Sequence, residues 1–258
     1  MSLEINFIFA SENIRIKVAG ISKNEKREKV ESMFDSIAWR YDFLNHFLSF
    51  GTDRFWRRRA IRAIGKRIKP SSILDVATGT GDLAIASLRL GPEKVTGIDI
   101  SGNMLSIGRK KILGKGLEKR IELLSGDSEN IEFPDSSFDA CMVAFGVRNF
   151  SDPLKGLKEM NRVTRKGGVI MVLEFSKPSV FPFRQVYNFY FRKILPFFGK
   201  LFSKDSNAYN YLPESVMSFP DNEQFLALLK EAGFAETSQV RLSGGIASIY
   251  TGRKPVAQ

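Results

Sequence analysis

Ile73 to Ala86 reads I-L-D-V-A-T-G-T-G-D-L-A-I-A, and the use of its two glycines decides the fold. Ile73-Leu74-Asp75-Val76 is a short apolar run entered from Pro70-Ser71-Ser72, which predicts a buried strand leaving a turn. Gly79-Thr80-Gly81 then lets the chain turn sharply and brings bare backbone close to a ligand. Asp82 to Ala86 is good helix-forming sequence, so the order is strand, glycine turn, helix. Gly79-x-Gly81-x-x-Ala84 literally satisfies the dinucleotide fingerprint, which keeps a nicotinamide oxidoreductase among the readings. Two acids argue against it. Asp75 at the strand end and Asp82 in the first helical turn would repel a pyrophosphate. The ammonium of S-adenosyl-L-methionine would instead be attracted, leaving its carboxylate to the N–H groups of the turn.

Further along the chain, Lys94 to Ile100 reads as a second strand carrying Asp99, about 20 residues after Gly79, where a carboxylate accepts from both ribose hydroxyls. Met104 just beyond it can lie against an adenine face or fill the core. Ile121 to Ser125 predicts a third strand running into Gly126-Asp127-Ser128, where Asp127 can accept from the adenine amino group or serve as a solvated turn residue. Phe138 to Phe145 and Gly167 to Phe175 read as a fourth and a fifth strand. This alternation predicts an α/β protein with a doubly wound, mostly parallel sheet whose carboxyl-end loops share one crevice. A helix over Asp221 to Ala232 and two strands around Gly244-Gly245 predict a terminal hairpin, which favours the class I S-adenosylmethionine-dependent methyltransferase form of this sheet.

At 258 residues, without internal repeats or a low-complexity linker, the chain predicts one domain. Residues 1–24 read as an extension and 25–258 as the domain. Within it, 25–69 form a helical lid, 70–175 the cofactor-binding core, 176–215 an aromatic basic segment and 216–258 the terminal helix and hairpin. A single Cys141 in a strand run excludes a disulfide framework, and with one histidine no metal site is expected. Met1 to Ala10 holds Glu4 and lacks a basic start, a poor signal peptide, so a cytoplasmic protein is expected.

The net charge of +11 and the 22 phenylalanines ask for a partner. Phe181 to Phe202 is dense in aromatics and basic residues and holds no acid, which suits an interfacial helix on an anionic membrane, a lid over an apolar substrate, or simple packing on the sheet. Nucleic acid ranks lower, because these aromatics are crowded among aliphatics rather than spaced as a stacking platform. Lys29 to Asn45 has apolar residues at helical spacing, and Trp56-Arg57-Arg58-Arg59 follows Gly51. Such a region can cap the crevice or pack as a stabilising extension. The sequence leaves the oligomeric state open, a homodimer included.

The run Met33-Phe34-Asp35-Ser36-Ile37-Ala38-x-x-Tyr41-Asp42-x-x-Asn45, the Leu74 to Asp82 loop, Phe145-Gly146-Val147-Arg148-Asn149, Leu173-Glu174-Phe175-Ser176-x-Pro178 and Tyr211-Leu212-Pro213-Glu214-Ser215 resemble the ubiquinone/menaquinone biosynthesis C-methyltransferases (UbiE/MenG), from about residue 25 to about residue 254. The resemblance implies methylation of a ring carbon of a polyprenylated quinol. Demethylmenaquinol is the first candidate, with a polyprenyl benzoquinol of ubiquinone biosynthesis or another apolar phenol as alternatives. It also implies an enzyme held peripherally on the inner face of the cytoplasmic membrane. Thr80, Asp99, Asp127 and Ser128 match the family's cofactor contacts, with Asp75 and the backbone of Gly79 and Gly81 completing that wall. Two positions depart from the pattern: Ala144 and Asp53 stand where many members have serine and histidine.

Ring carbon is a poor nucleophile until the quinone is reduced and one hydroxyl loses its proton, so the protein must align the ring and stabilise a phenolate. Arg148, always protonated, is the expected stabiliser, and a loop-holding salt bridge is its alternative role. Asn149 would orient a hydroxyl, and Tyr41 and Asp82 are candidates for positioning or proton transfer. His46 sits at no motif position and is not expected to be catalytic.

Overall fold

Ile73, Leu74 and Val76 are fully buried because β1 (Ser72–Val76) runs through the middle of a seven-stranded sheet. The computed structural model describes residues 23–49, 51–178, 180–189 and 207–256. In chain order the elements are α1 (Lys23–Leu48), α2 (Thr52–Gly65), β1, α3 (Asp82–Ser87), β2 (Lys94–Asp99), α4 (Gly102–Leu113), β3 (Ile121–Ser125), β4 (Phe138–Ala144), α5 (Pro153–Val163), β5 (Thr164–Phe175), α6 (Phe183–Phe189), α7 (Asn207–Ser218), α8 (Glu223–Glu231), β6 (Ala235–Leu242) and β7 (Ala247–Arg253). The strand order is β3-β2-β1-β4-β5-β7-β6. The first five strands are parallel, and β7 enters antiparallel between β5 and β6. This is the expected doubly wound sheet with its terminal hairpin.

Alternation along the central strands sorts side chains into two apolar layers. Leu74, Val76, Cys141 and Val143 meet Leu157 and Met160 of α5 and Phe225 and Leu229 of α8. Ile73, Met142 and Met171 meet Trp56, Ala60, Ile61 and Ile64 of α2, together with Leu83, Leu105 and Ile112. Each fully buried side chain of this size contributes about 2 kcal/mol over its exposed state. The layers, rather than the six-residue α3, therefore hold the glycine turn in place. Burial pushes the Cys141 thiol up to about 12, which fits an inert core residue.

Two loop passages depend on glycine. A Cβ at Gly97 would lie 2.6 Å from Leu123 and 2.8 Å from the Thr78 hydroxyl, so β2 passes directly beneath the turn. Gly244 adopts φ of 68° and its missing Cβ leaves room for the ring of Phe183. Of the aromatic segment, Phe183–Phe189 forms α6, and residues 190–206 lie outside the described residues, as do residues 1–22. Among the described residues no helix is long and apolar enough to cross a membrane, and no cluster of His, Cys, Asp and Glu could hold a metal ion.

Candidate cofactor and acceptor site

A cavity of about 250 Å³ opens at the carboxyl ends of β1 to β4. Gly79, Asp99, Met104, Asp127 and Ser128 line it, as does Ala144, and α1 crosses it with Arg27, Val30 and Phe34. Those three recur at helical spacing and so share one face of α1.

Asp99 organises the floor. Its carboxylate accepts from the Gly79 amide at 2.7 Å and the Ser101 amide at 2.9 Å, so the acid that faces the cavity also shapes the turn. Burial raises its pKa above the usual carboxylate range, against the pull of these backbone donors. Met104 is buried against the same wall. Asp127 accepts from the Glu129 amide and pairs with Arg27 at 2.8 Å. The lid is fastened at two further points. Lys26 donates to the Phe150 carbonyl, and Asp35 accepts from the Ser101 hydroxyl and from the Asn103 amide at 3.2 Å. Ser101 caps α4, so Asp35 ties α1 to that helix start.

Three residues expected at the cofactor wall, Asp75, Thr80 and Gly81, do not line this cavity, and neither does Asp82, expected to position or transfer a proton. Thr80 and Asp82 turn toward α4, where Lys111 donates to them at 3.0 and 2.8 Å, and Arg57 stands 3.9 Å from Asp82. The open side of Gly81 faces Leu123 and Ile112. Asp75 shares the α2 side of the sheet with Ile73 and accepts from the Thr78 hydroxyl at 2.6 Å. Asp82, one of the two acids in the charge argument, therefore faces two cations, and Asp75, the other, is buried. The antiparallel β7 distinguishes the fold better than these acids do.

Burial pushes the Asp75 carboxyl up to about 7, while the Thr78 hydroxyl and the Ala84 amide pull the other way. A folded pKa above the unfolded value means that the native state binds the proton more tightly. No stability is lost below about pH 4, and it falls as pH rises toward 7. Asp75→Asn, which removes the ionisation, should therefore gain in Tm relative to the parent protein between about pH 5 and about pH 8. A Tm difference that stays constant over that range would refute this burial effect.

Arg148, the expected phenolate stabiliser, sits in the short 3-10 turn Val147–Asn149 after β4 and does not line the cavity. Its guanidinium pairs with Glu174 at 2.8 Å, donates to the Phe145 carbonyl and lies 5.4 Å from the centre of the Phe175 ring. Arg148 Nε is buried without a hydrogen-bond partner. Phe145 and Ala77, both on the cavity wall, adopt left-handed φ of 58° and 52°, strain of about 1–3 kcal/mol each that the surroundings must hold. Asn149 does line the cavity, and its side-chain oxygen accepts from the Tyr211 hydroxyl at 3.0 Å. Burial raises the pKa of both Tyr211 and Tyr187, whereas the charge on Arg148 lowers it. Tyr211, Glu174, Arg27 and Val30 carried no assigned role in the sequence, although Tyr211 and Glu174 fall in its quoted motifs. Tyr41 lies on α1, but its side chain, like that of His46, is outside the described residues. Asp53 is buried, pairs with Arg57 and accepts from the Ser49 hydroxyl.

A model of the ubiE/COQ5 methyltransferase family matches residues 22–254. A ubiquinone/menaquinone biosynthesis C-methyltransferase UbiE of Geotalea daltonii is 50% identical over 232 residues, 89% of this chain and 98% of that protein. A demethylmenaquinone methyltransferase of Bacteroides fragilis is 46% identical over 231 residues, 89% of this chain and 94% of that protein. Among solved structures, a SAM-dependent methyltransferase from Thermotoga maritima superposes with a TM-score of 0.62 at 21% identity, over 87% of this chain and 99% of that one, a likeness of fold.

Proposed function

The chain belongs to the ubiE/COQ5 methyltransferase family, and from that premise we propose that it methylates a ring carbon of a polyprenylated quinol, using S-adenosyl-L-methionine. Demethylmenaquinol is the first acceptor, with a polyprenyl benzoquinol as the alternative. The observation that carries the reading is the pairing of two environments across Asn149: a cavity floored by Asp99 on one side, and a buried cation with an unused donor on the other.

The residues present fit the cofactor. Asp99 offers a carboxylate to ribose hydroxyls, Met104 and Ile100 give an apolar wall to a purine, and Asp127 and Ser128 give it a polar edge. When bound, S-adenosylmethionine supplies an electrophilic methyl on sulfur. Arg27, Val30 and Phe34 of α1 cover the cavity and keep water from it. Asn149, its amide oriented by Tyr211, positions a ring hydroxyl. Arg148 lies behind Asn149 and outside the cavity wall, so it acts through its charge, which favours the oxygen that loses its proton, and the charge on that oxygen makes the neighbouring carbon nucleophilic. The isoprenoid tail places this chemistry at the inner face of the cytoplasmic membrane, and the exposed Phe181, Phe183 and Phe189 around α6 suit that interface.

The test incubates the purified protein with labelled S-adenosylmethionine and chemically reduced demethylmenaquinone in detergent. A quinone heavier by one methyl is expected by mass spectrometry, with no product from the oxidised ring. No product from the reduced ring, despite measured cofactor binding, would overturn the acceptor.

A further inference from the structure

The basic helix α2 has no place in the site. Its inner face is core: Trp56, Ala60, Ile61 and Ile64 are buried, and the one acid, Asp53, is buried with Arg57. The exposed charged and aromatic residues are Arg54, Phe55, Arg58, Arg59 and Arg62, followed by Lys66 just beyond the helix. At about 100° per residue they fall within an arc of roughly 140° that holds no carboxylate. Arg54, Arg58, Arg62 and Lys66 follow one another at i, i+4, each step a like-charge pair that weakens an isolated helix. Phe55 is 51% exposed in the middle of this arc, with the Arg59 guanidinium 5.7 Å from its ring centre. Among the described residues no ion pair is made by Arg54, Arg58, Arg59 or Arg62, and an external anion would relieve their mutual repulsion.

The neighbouring surface indicates which anion. Trp56 on the inner side of α2 donates to the Ser243 hydroxyl at 2.9 Å, and Phe183 of α6 seats on the adjoining Gly244. Both helices therefore touch the same turn, and exposed Phe181, just before α6, and exposed Phe183, Arg184 and Phe189 within it lie on the α6 side of that turn. Cations beside protruding apolar side chains suit a lipid interface, where rings enter the acyl boundary and cations meet headgroups. We propose that the outer face of α2 is a docking surface for anionic phospholipid headgroups, which holds the rim of the α6 aromatics against the bilayer. The proposal rests on the membrane-borne acceptor read above, but its test is independent of methyl transfer.

That test is sedimentation of the full chain with phosphatidylcholine vesicles, with and without phosphatidylglycerol, comparing the parent protein with Arg54→Glu/Arg58→Glu/Arg62→Glu. Binding should require phosphatidylglycerol, weaken with salt, and fall roughly tenfold or more in the triple variant. Thermal melting and S-adenosylmethionine affinity should be unchanged, because these side chains lie on the far side of α2 from the core. A well-folded triple variant that binds vesicles as the parent does would overturn the proposal. So would a parent protein that ignores phosphatidylglycerol yet binds duplex DNA at the same salt. Methyl transfer to a short-tailed quinol without vesicles separates the two readings: its absence counts against the acceptor alone, and a parent protein that transfers methyl but does not bind phosphatidylglycerol vesicles counts against the surface alone.

Discussion

Truncating Arg148 to alanine is expected to destabilise the fold by about 3–5 kcal/mol and to lower turnover by about a hundredfold or more. The stability loss follows from Glu174, which is 0% exposed and would keep a buried charge with its cation gone. For a chain of this size that corresponds to a Tm lower by roughly 10 °C. The Phe145 carbonyl loses a donor as well, at a residue already in a strained conformation. A single variant therefore confuses a strut with a catalytic group. Arg148→Met/Glu174→Gln separates them. Neutralising both partners removes the unpaired charge, and the introduced glutamine could still accept from the Phe175 amide that Glu174 serves now. Most of the Tm should return while turnover stays low. If turnover returns with the Tm, Arg148 is a strut only, and the stabilisation of the phenolate lies elsewhere.

The sheet was legible because each parallel strand is an apolar or β-branched run closed by turn residues, and the hairpin because Gly244-Gly245 separates two such runs. Polar continuations were not. β5 begins at Thr164 rather than Gly167, since exposed Arg165 and Lys166 carry no apolar pattern. α1 begins at Lys23, two residues before the expected lid, in a run of lysine, glutamate and arginine that is polar on every side, so the apolar spacing read from Lys29 gave no sign that Arg27 faces the cavity. Position along the chain was enough to put Asp99 and Asp127, at and just after the ends of β2 and β3, on the wall of the cavity, with Met104 in the helix that follows β2. It gave no direction for the side chains of Thr80 and Asp82. Which way a turn side chain points is set by a partner far along the chain, here Lys111. The Arg148–Glu174 pair is the same case: the β4–β5 register, Ala144 against Leu173, brings the residues together, and register is invisible until strands are paired.

Asp99→Ala should weaken S-adenosylmethionine binding by about a hundredfold or more, the loss expected when two hydrogen bonds to a charged group disappear. The same carboxylate also holds the Gly79 and Ser101 amides, so alanine frees the turn and removes the ribose acceptor together. Asp99→Asn is the finer probe. Its oxygen can still serve one amide, and its NH₂ group meets the other as a donor facing a donor. Affinity should fall less than with alanine, but still by about tenfold. Asp82→Asn provides the contrast: Asp82 lies off the cavity and is held by Lys111, so calorimetric titration should find its effect within about threefold. Equal losses at Asp82 and Asp99 would mean that the helix start carries the cofactor as much as the end of β2 does. Unchanged affinity in Asp99→Asn would remove Asp99 from the ribose and leave it the structural task of fastening Gly79 to Ser101.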